Sequence, residues 1–303
     1  MRNTETTSLY DQVTDRIIAE LEEGRLPWVQ PWDRAGVSAG LPRNAGTGRC
    51  YSGINVLILW SAVTGAGYGS QAWLTYKQAE ALGGHVRKGE QGETVCYADR
   101  FTPKSESERA AADGEAARQV AFLKRFTVFN VDQCEGLPEV LPGIVAPLPE
   151  REIIPQAEAL IDATGADVRI GGDRAFYAPD PDFVQVPQPQ LYHVPIDFYR
   201  TAFHELGHWT GHASRLGRDQ SGRFGDAFYA REELVAEMTS AFVCAELSIS
   251  PSVRHADYIG SWLDILREDN RAIFRAASAA SKAADLLLGF RPASASSGEG
   301  EAA

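Results

Sequence analysis

The residues with the clearest chemical meaning in this chain are His204-Glu205-Leu206-Gly207-His208. The two histidines stand four positions apart, which on a helix puts them on one face, one turn from each other. Both imidazoles can then meet a single ion at about 2.0–2.1 Å. Glu205, next to the first of them, is placed to take a proton from a water held by that ion, which is the chemistry of metal-assisted peptide hydrolysis. The preceding run Phe198-Tyr199-Arg200-Thr201-Ala202-Phe203 suits a helix and disfavours the alternative, a surface helix with two solvated histidines.

A catalytic zinc ion takes three protein ligands and a water. The extended pattern HExxHxxGxxH would add a third histidine; this chain has its glycine, Gly211, but Ser214 at the last position, and His212 falls two residues early. The other solution is a glutamate on a following helix. Glu232-Glu233-Leu234-Val235-Ala236-Glu237 offers Glu233 and Glu237 on one face, one as ligand and one on the outer nitrogen of a ligand histidine, in either order. An ordinary solvated helix face is the competing reading, and Leu234, Ala236, Met238, Ala241 and Phe242 weigh against it. His212 and Tyr229 are candidates for steadying the oxyanion of a tetrahedral intermediate, or equally for plain structural hydrogen bonds. Phe183-Val184-Gln185-Val186 reads as a sheet edge, either one that pairs with an extended peptide or an ordinary one.

Elements must hold these groups. The sequence predicts a helix over 8–23, where Leu9, Val13, Ile17, Ile18 and Leu21 recur at helical spacing, and another over 54–63. A short helix follows over 74–82, closed by Gly83-Gly84, and strands over 94–101 and 120–131. The Ala-, Glu- and Ser-rich stretch 103–118 reads as a mobile hairpin connection. After a proline-rich linker at 137–149 come a helix over 150–164, strands at 168–170, 175–177 and 183–186, and long helices over 196–212 and 229–247. A helical tail runs to about residue 288.

The chain has 303 residues, enough for two domains, with 44% apolar and 23% charged side chains and no apolar run near the length of a membrane span. Its first residues lack a secretory pattern, and Cys50, Cys96, Cys134 and Cys244 form no CxxC pair. A cytoplasmic location is expected. The net charge of −12 disfavours nucleic acid as a partner of the whole surface, yet residues 25–100 carry eight basic against five acidic side chains. Rings and cations interleave in the first half: Trp28, Trp32, Tyr51, Trp60, Tyr68, Trp73, Tyr76, Tyr97, Phe126 and Phe129 beside Arg43, Arg49, Lys77, Arg87, Lys88, Lys124 and Arg125. Single-stranded bases stack on exposed rings while cations follow the backbone; for any one ring, core packing is the commoner role.

Four stretches together resemble the ArdC-like antirestriction proteins of conjugative plasmids and integrative elements. They are Tyr10-Asp11-Gln12-Val13 through Pro27-Trp28; Arg49-Cys50-Tyr51-Ser52-Gly53-Ile54-Asn55; Trp73-Leu74-Thr75-Tyr76-Lys77-Gln78-Ala79 with Val86-Arg87-Lys88-Gly89-Glu90; and the metal motif through Glu237. The resemblance implies an α+β protein of two domains: a mixed α/β single-stranded-DNA-binding domain over 1–136, and a zincin-like metallopeptidase domain over 150–290 that carries the HExxH helix. Residues 291–303 would be a disordered tail. It implies His204, His208 and Glu233 as ligands of one Zn2+, or another divalent ion such as Mn2+, with Glu205 as acid/base and Glu237 as the outer partner or alternative ligand. DNA contacts are expected at Arg43, Arg49, Tyr51, Asn55, Trp73, Tyr76, Lys77, Arg87 and Lys88. The expected partners are single-stranded DNA and an unidentified protein substrate or host restriction component, with no membrane. Related modules occur in plasmid primases, so the competing expectation is a DNA-binding module whose zincin domain is structural.

Overall fold

The computed structural model describes residues 8–29, 40–101, 109, 120–141, 150–222, 226–250 and 258–291. The chain divides into two compact units: Met1–Ile17 with Pro42–Val145, and Ile18–Leu41 with Ala146–Ala303. Helix α1 (Leu9–Glu22) is shared between them. The sequence reading assigns all of 1–136 to one domain, whereas 18–41 groups with the second unit. The physical reason lies at Trp28, which is wholly buried with its ring edge-on to Trp262, the centroids 5.4 Å apart. The predicted linker also begins inside the first unit, since Leu141 is buried with Ala45, Ala72, Leu74 and Ala79, and Leu137 packs against them. The expected hairpin connection and the tail from residue 292 lie outside the described residues, apart from Arg109.

In the first unit, β1 (Arg43–Asn44) leads to α2 (Ile54–Ala66), which is apolar all round and buried from Val56 to Val63, as an interior helix must be. Glycines end it on both sides, Gly67 taking the left-handed conformation at φ 72° and donating to the Val63 carbonyl. Next come β2 (Ala72–Leu74), α3 (Tyr76–Ala81), β3 (His85–Val86), β4 (Glu93–Phe101), β5 (Val120–Asn130) and β6 (Cys134–Glu135). The sequence predicts helix from Leu74, but Leu74 ends β2, because Thr75 and Gln78 form a reciprocal capping box that starts α3 at Tyr76, two residues later. The main sheet runs β1-β2-β5-β4, with β1 parallel to β2 and the other pairs antiparallel. The long β4–β5 hairpin keeps register from Glu93 opposite Val128 to Phe101 opposite Val120. β3 and β6 pair separately.

The second unit contains α4 (Glu150–Ala163), β7 (Asp167–Ile170), β8 (Phe176–Ala178), β9 (Phe183–Val186), α5 (Ile196–Trp209), α6 (Ala227–Glu246), α7 (Ile259–Glu268) and α8 (Ala272–Leu288). Its sheet has the order β7-β9-β8. β9 is therefore the central strand, hydrogen-bonded to parallel β7 on one side and antiparallel β8 on the other, which corrects the expectation that Phe183–Val186 is an edge. Val184 and Val186 are buried, and β9 packs on α5. Helix α6 is buried along most of its length; α8 covers it with the small side chains Ala276, Ala277, Ala280, Ala283 and Ala284, all buried. No helix among the described residues is long and apolar enough to cross a membrane.

Candidate metal centre

Helix α5 brings its two histidines to α6 at a point of close helix approach. A Cβ on Gly207 would lie 3.3 Å from the Ala236 Cα and 3.4 Å from both the Ala236 carbonyl oxygen and the Thr239 Cβ. Glycine costs an interior helix about 0.8–1.0 kcal/mol relative to alanine; here it lets two backbones meet. The approach puts Glu233 between the imidazoles, its carboxylate oxygens 3.3 Å from the His204 Nε2 and 3.4 Å from the His208 Nε2. All three donor atoms lie within 4.8 Å of one another, and His204 and Glu233 are buried. Ligands at about 2.0–2.2 Å from a tetrahedral ion are separated from each other by about 3.3–3.6 Å. Two imidazole nitrogens and one carboxylate oxygen at this spacing fit a divalent ion.

The acids divide their work. Glu237, buried on α6, has its Oε1 3.8 Å from the His204 Nδ1. Glu232, which the sequence reading passes over, meets the His208 Nδ1 at 3.3 Å. Its own carboxylate is held by Arg218 through both oxygens, at 3.0 and 2.7 Å, and by Gln220 at 3.2 Å. Burial disfavours charge on Glu233, yet hydrogen bonds from His204 and His208 win and hold its carboxyl far below the usual carboxylate range. Burial likewise opposes charge on His208, but the Glu232 and Glu233 carboxylates push its pKa up to about 10. In the metal-free protein a proton on His208 thus supplies the positive charge this acidic pocket calls for. Glu205, adjacent to His204 on α5, is also buried.

His212 is engaged within the turn after α5, whereas Tyr229 reaches the metal centre itself. The Ser214 backbone N–H donates to the His212 Nδ1 at 3.2 Å, and the Ser214 hydroxyl sits 2.7 Å from the same atom, inside the turn that ends α5. Tyr229 hydrogen-bonds Glu233 and Tyr258; burial first, then the Glu233 charge, raises its pKa.

The expected DNA contacts scatter over several environments. Trp73 is wholly buried in β2, against Tyr68 edge-on at 5.9 Å, so it offers no face to a base and that expectation is corrected. Trp73→Ala is expected to destabilise the chain by about 3–5 kcal/mol, seen as an early unfolding transition in urea, rather than to weaken DNA binding selectively. Asn55, half-buried, is engaged within the fold. Its amide nitrogen donates to the Cys96 carbonyl at 2.7 Å and its oxygen accepts from the Cys96 N–H at 2.7 Å, imitating a strand partner for β4. Arg87 is paired with Glu90 at 2.6 Å. Arg43 and Tyr51 are half-buried, and burial raises the Tyr51 pKa. Arg49, Lys77, Lys88 and Tyr76 are exposed, Tyr76 edge-on to Phe129. A more open aromatic pair stands on the hairpin: Tyr97 is 63% and Phe126 48% exposed, their rings 6.4 Å apart, with exposed Lys124 directly opposite Tyr97.

This geometry defines a zincin-type metal centre, and comparison with known proteins agrees. Residues 155–279 match the model of a zincin-like metallopeptidase, and residues 7–129 match the N-terminal domain of anti-restriction factor ArdC. The crystal structure of metal-free antirestriction protein ArdC from plasmid R388 is 40% identical, covers 94% of this chain and 98% of that one, and superposes with a TM-score of 0.77. The Mn(II)-bound structure of the same protein is 39% identical, with the same coverage and a TM-score of 0.75. Protein y4eC of Sinorhizobium fredii, described as uncharacterized, is 41% identical over 291 residues, 93% of this chain and 92% of that protein. DNA primase TraC of Escherichia coli is 38% identical over 298 residues, 93% of this chain but 27% of the primase. The chain belongs to the ArdC antirestriction family.

Proposed function

We propose that this chain is an antirestriction protein of a mobile genetic element that binds single-stranded DNA and hydrolyses peptide bonds at the centre built by His204, His208 and Glu233, acting in the cytoplasm to protect incoming DNA. The observation that carries the reading is the convergence of those three donor atoms at ligand-to-ligand spacing next to a buried glutamate. Zn2+ suits the donor set, and the Mn(II) complex of the R388 relative supports Mn2+ as well. When bound, such an ion polarises a carbonyl and acidifies water. Glu205 is then the base: its carboxylate takes a proton from the attacking water and returns it to the departing amine. Glu233 and the two histidines bind, and burial of the pocket strengthens each charged contact by excluding water.

For DNA, the Tyr97–Phe126 pair with Lys124 is the platform this reading favours, since exposed rings stack on unpaired bases. The likeness to a DNA primase supports a nucleic-acid partner. In the full-length protein, Tyr97→Ala with Phe126→Ala is expected to weaken single-stranded DNA binding by roughly 1–3 kcal/mol per stacked base. The salt dependence should stay as it is, whereas Lys124→Ala should flatten it by about one phosphate contact. Fluorescence anisotropy with single-stranded and duplex oligonucleotides at several salt concentrations checks this. Unchanged affinity in the aromatic variant, or equal affinity for duplex, overturns it.

A further inference from the structure

We infer that Glu232 and Arg218, seated by Gly211, form a positioning pair that fixes His208 for the metal and keeps Glu232 itself from becoming a ligand. The inference rests on the metal centre proposed above and adds residues that lie outside the HExxH motif.

Glu232 and Glu233 are neighbours on α6 and both reach His208, so their chemistry alone does not say which would hold an ion. Hydrogen bonding separates them. The Glu232 Oε1 accepts from the Arg218 Nη2 at 2.7 Å and the Gln220 Nε2 at 3.2 Å, and faces the His208 Nδ1 at 3.3 Å; its Oε2 accepts from the Arg218 Nε at 3.0 Å. Three of these approaches crowd Oε1, which has about two lone-pair sites, and the bidentate Arg218 fork engages both oxygens, so the carboxylate is already committed to its partners. With Glu232 as acceptor, Nδ1 keeps its proton when an ion displaces the one on Nε2, and the Nε2 lone pair is then turned to the side of Glu233. A carboxylate on the outer nitrogen of a ligand histidine sets its tautomer, its ring orientation and its basicity.

The clamp is tied to the end of α5. The Arg218 Nη2 donates to the Gly207 carbonyl at 2.6 Å, its Nη1 to the Thr210 hydroxyl at 2.8 Å, and the Gln220 Nε2 to the His208 carbonyl at 2.7 Å. These carbonyls lie in the last turn of the helix, where partners and positive charge are both wanted. The room for the two side chains comes from Gly211. A Cβ there would lie 2.6 Å from the Gln220 Nε2 and 2.9 Å from the Arg218 Nη2. Those ends are not free to swing aside, because each is held by the bonds just described.

The test uses full-length protein and the variants Glu232→Ala, Glu232→Gln, Arg218→Ala and Gly211→Ala. Zn2+ affinity is measured by competition with a chromophoric chelator, Mn2+ affinity by spin resonance of the free ion, and the histidine tautomer by nitrogen-15 NMR; melting of the metal-free proteins monitors the fold. Glu232→Ala is expected to raise the Zn2+ Kd about 10–100-fold and, in the Zn2+-loaded protein, to disperse the His208 signal between the two ring-nitrogen arrangements. Glu232→Gln, which keeps an acceptor for Nδ1, should fall between it and wild type. Arg218→Ala and Gly211→Ala should weaken the metal in the same direction without touching a ligand. Wild-type affinity, within twofold, in Glu232→Ala and Arg218→Ala would overturn the clamp while leaving the metal centre standing. So would equal losses in Glu232→Ala and Glu232→Gln that follow a common fall in melting temperature. Failure of the wild-type protein to bind any divalent ion would overturn both.

Discussion

Replacing His204 and His208 together by alanine should take the protein from about one bound divalent ion per chain to none, measured by elemental analysis after dialysis against a weak chelator. Two of three donors are lost, and Glu233 alone, buried on α6, cannot hold an ion. Wild-type binding should also release protons. With its pKa at about 10, His208 is charged at neutral pH in the metal-free protein, so an entering ion displaces that proton and affinity rises with pH. The same shift makes a statement about stability. Because the folded value lies above the ordinary 6.5, the contribution to the metal-free fold is complete below 6.5 and is lost as pH rises through about 10. Melting curves of metal-free protein should therefore fall across that window, and those of metal-loaded protein should not follow them. One ion per chain retained in the double alanine variant would sink the metal assignment.

The second large effect is expected from Glu205→Gln. The amide has the shape of the carboxylate and fits the same buried position, so the fold and the ion should remain. It cannot accept a proton, so peptide hydrolysis should drop by about 10²–10⁴-fold. Mass spectrometry of a random peptide library incubated with metal-loaded wild type and variant measures this. Loss of the ion from the variant would show that Glu205 helps to hold it, and undiminished cleavage would remove it from the reaction.

The core of the centre is legible in the sequence because its two histidines and Glu205 lie within one helical turn, where spacing alone sets direction. The helix 196–212 is seen three residues too long, since the Gly207 carbonyl is taken by the Thr210 hydroxyl and Arg218, and the Gly211 N–H bonds the His208 carbonyl instead. Arg218 and Glu232 leave no such trace. They meet across a loop whose path is set by tertiary packing, and an Arg or a Glu carries no periodic signal. Trp73 shows the converse failure. Interleaved rings and cations look alike whether a ring faces solvent or core, and only the pairing of β2 with β1 and β5 decides it. The central position of β9 was hidden for a related reason: its partner β7 is parallel and reached by way of β8, and parallel pairing has no local turn signal.

The route of the chain bears on heredity. It passes from the first unit to the second after Ile17, back after Leu41, and over again after Val145, so no single cut releases either unit whole. A recombination that moved only 146–303 would leave Trp28 behind, and with it the ring that covers Trp262, whose indole nitrogen donates to the Ala230 carbonyl of the metal-bearing helix. A fusion that carries both units as one cassette keeps that contact. The relationship to the primase has that form: 93% of this chain is matched within a protein of which it makes up 27%.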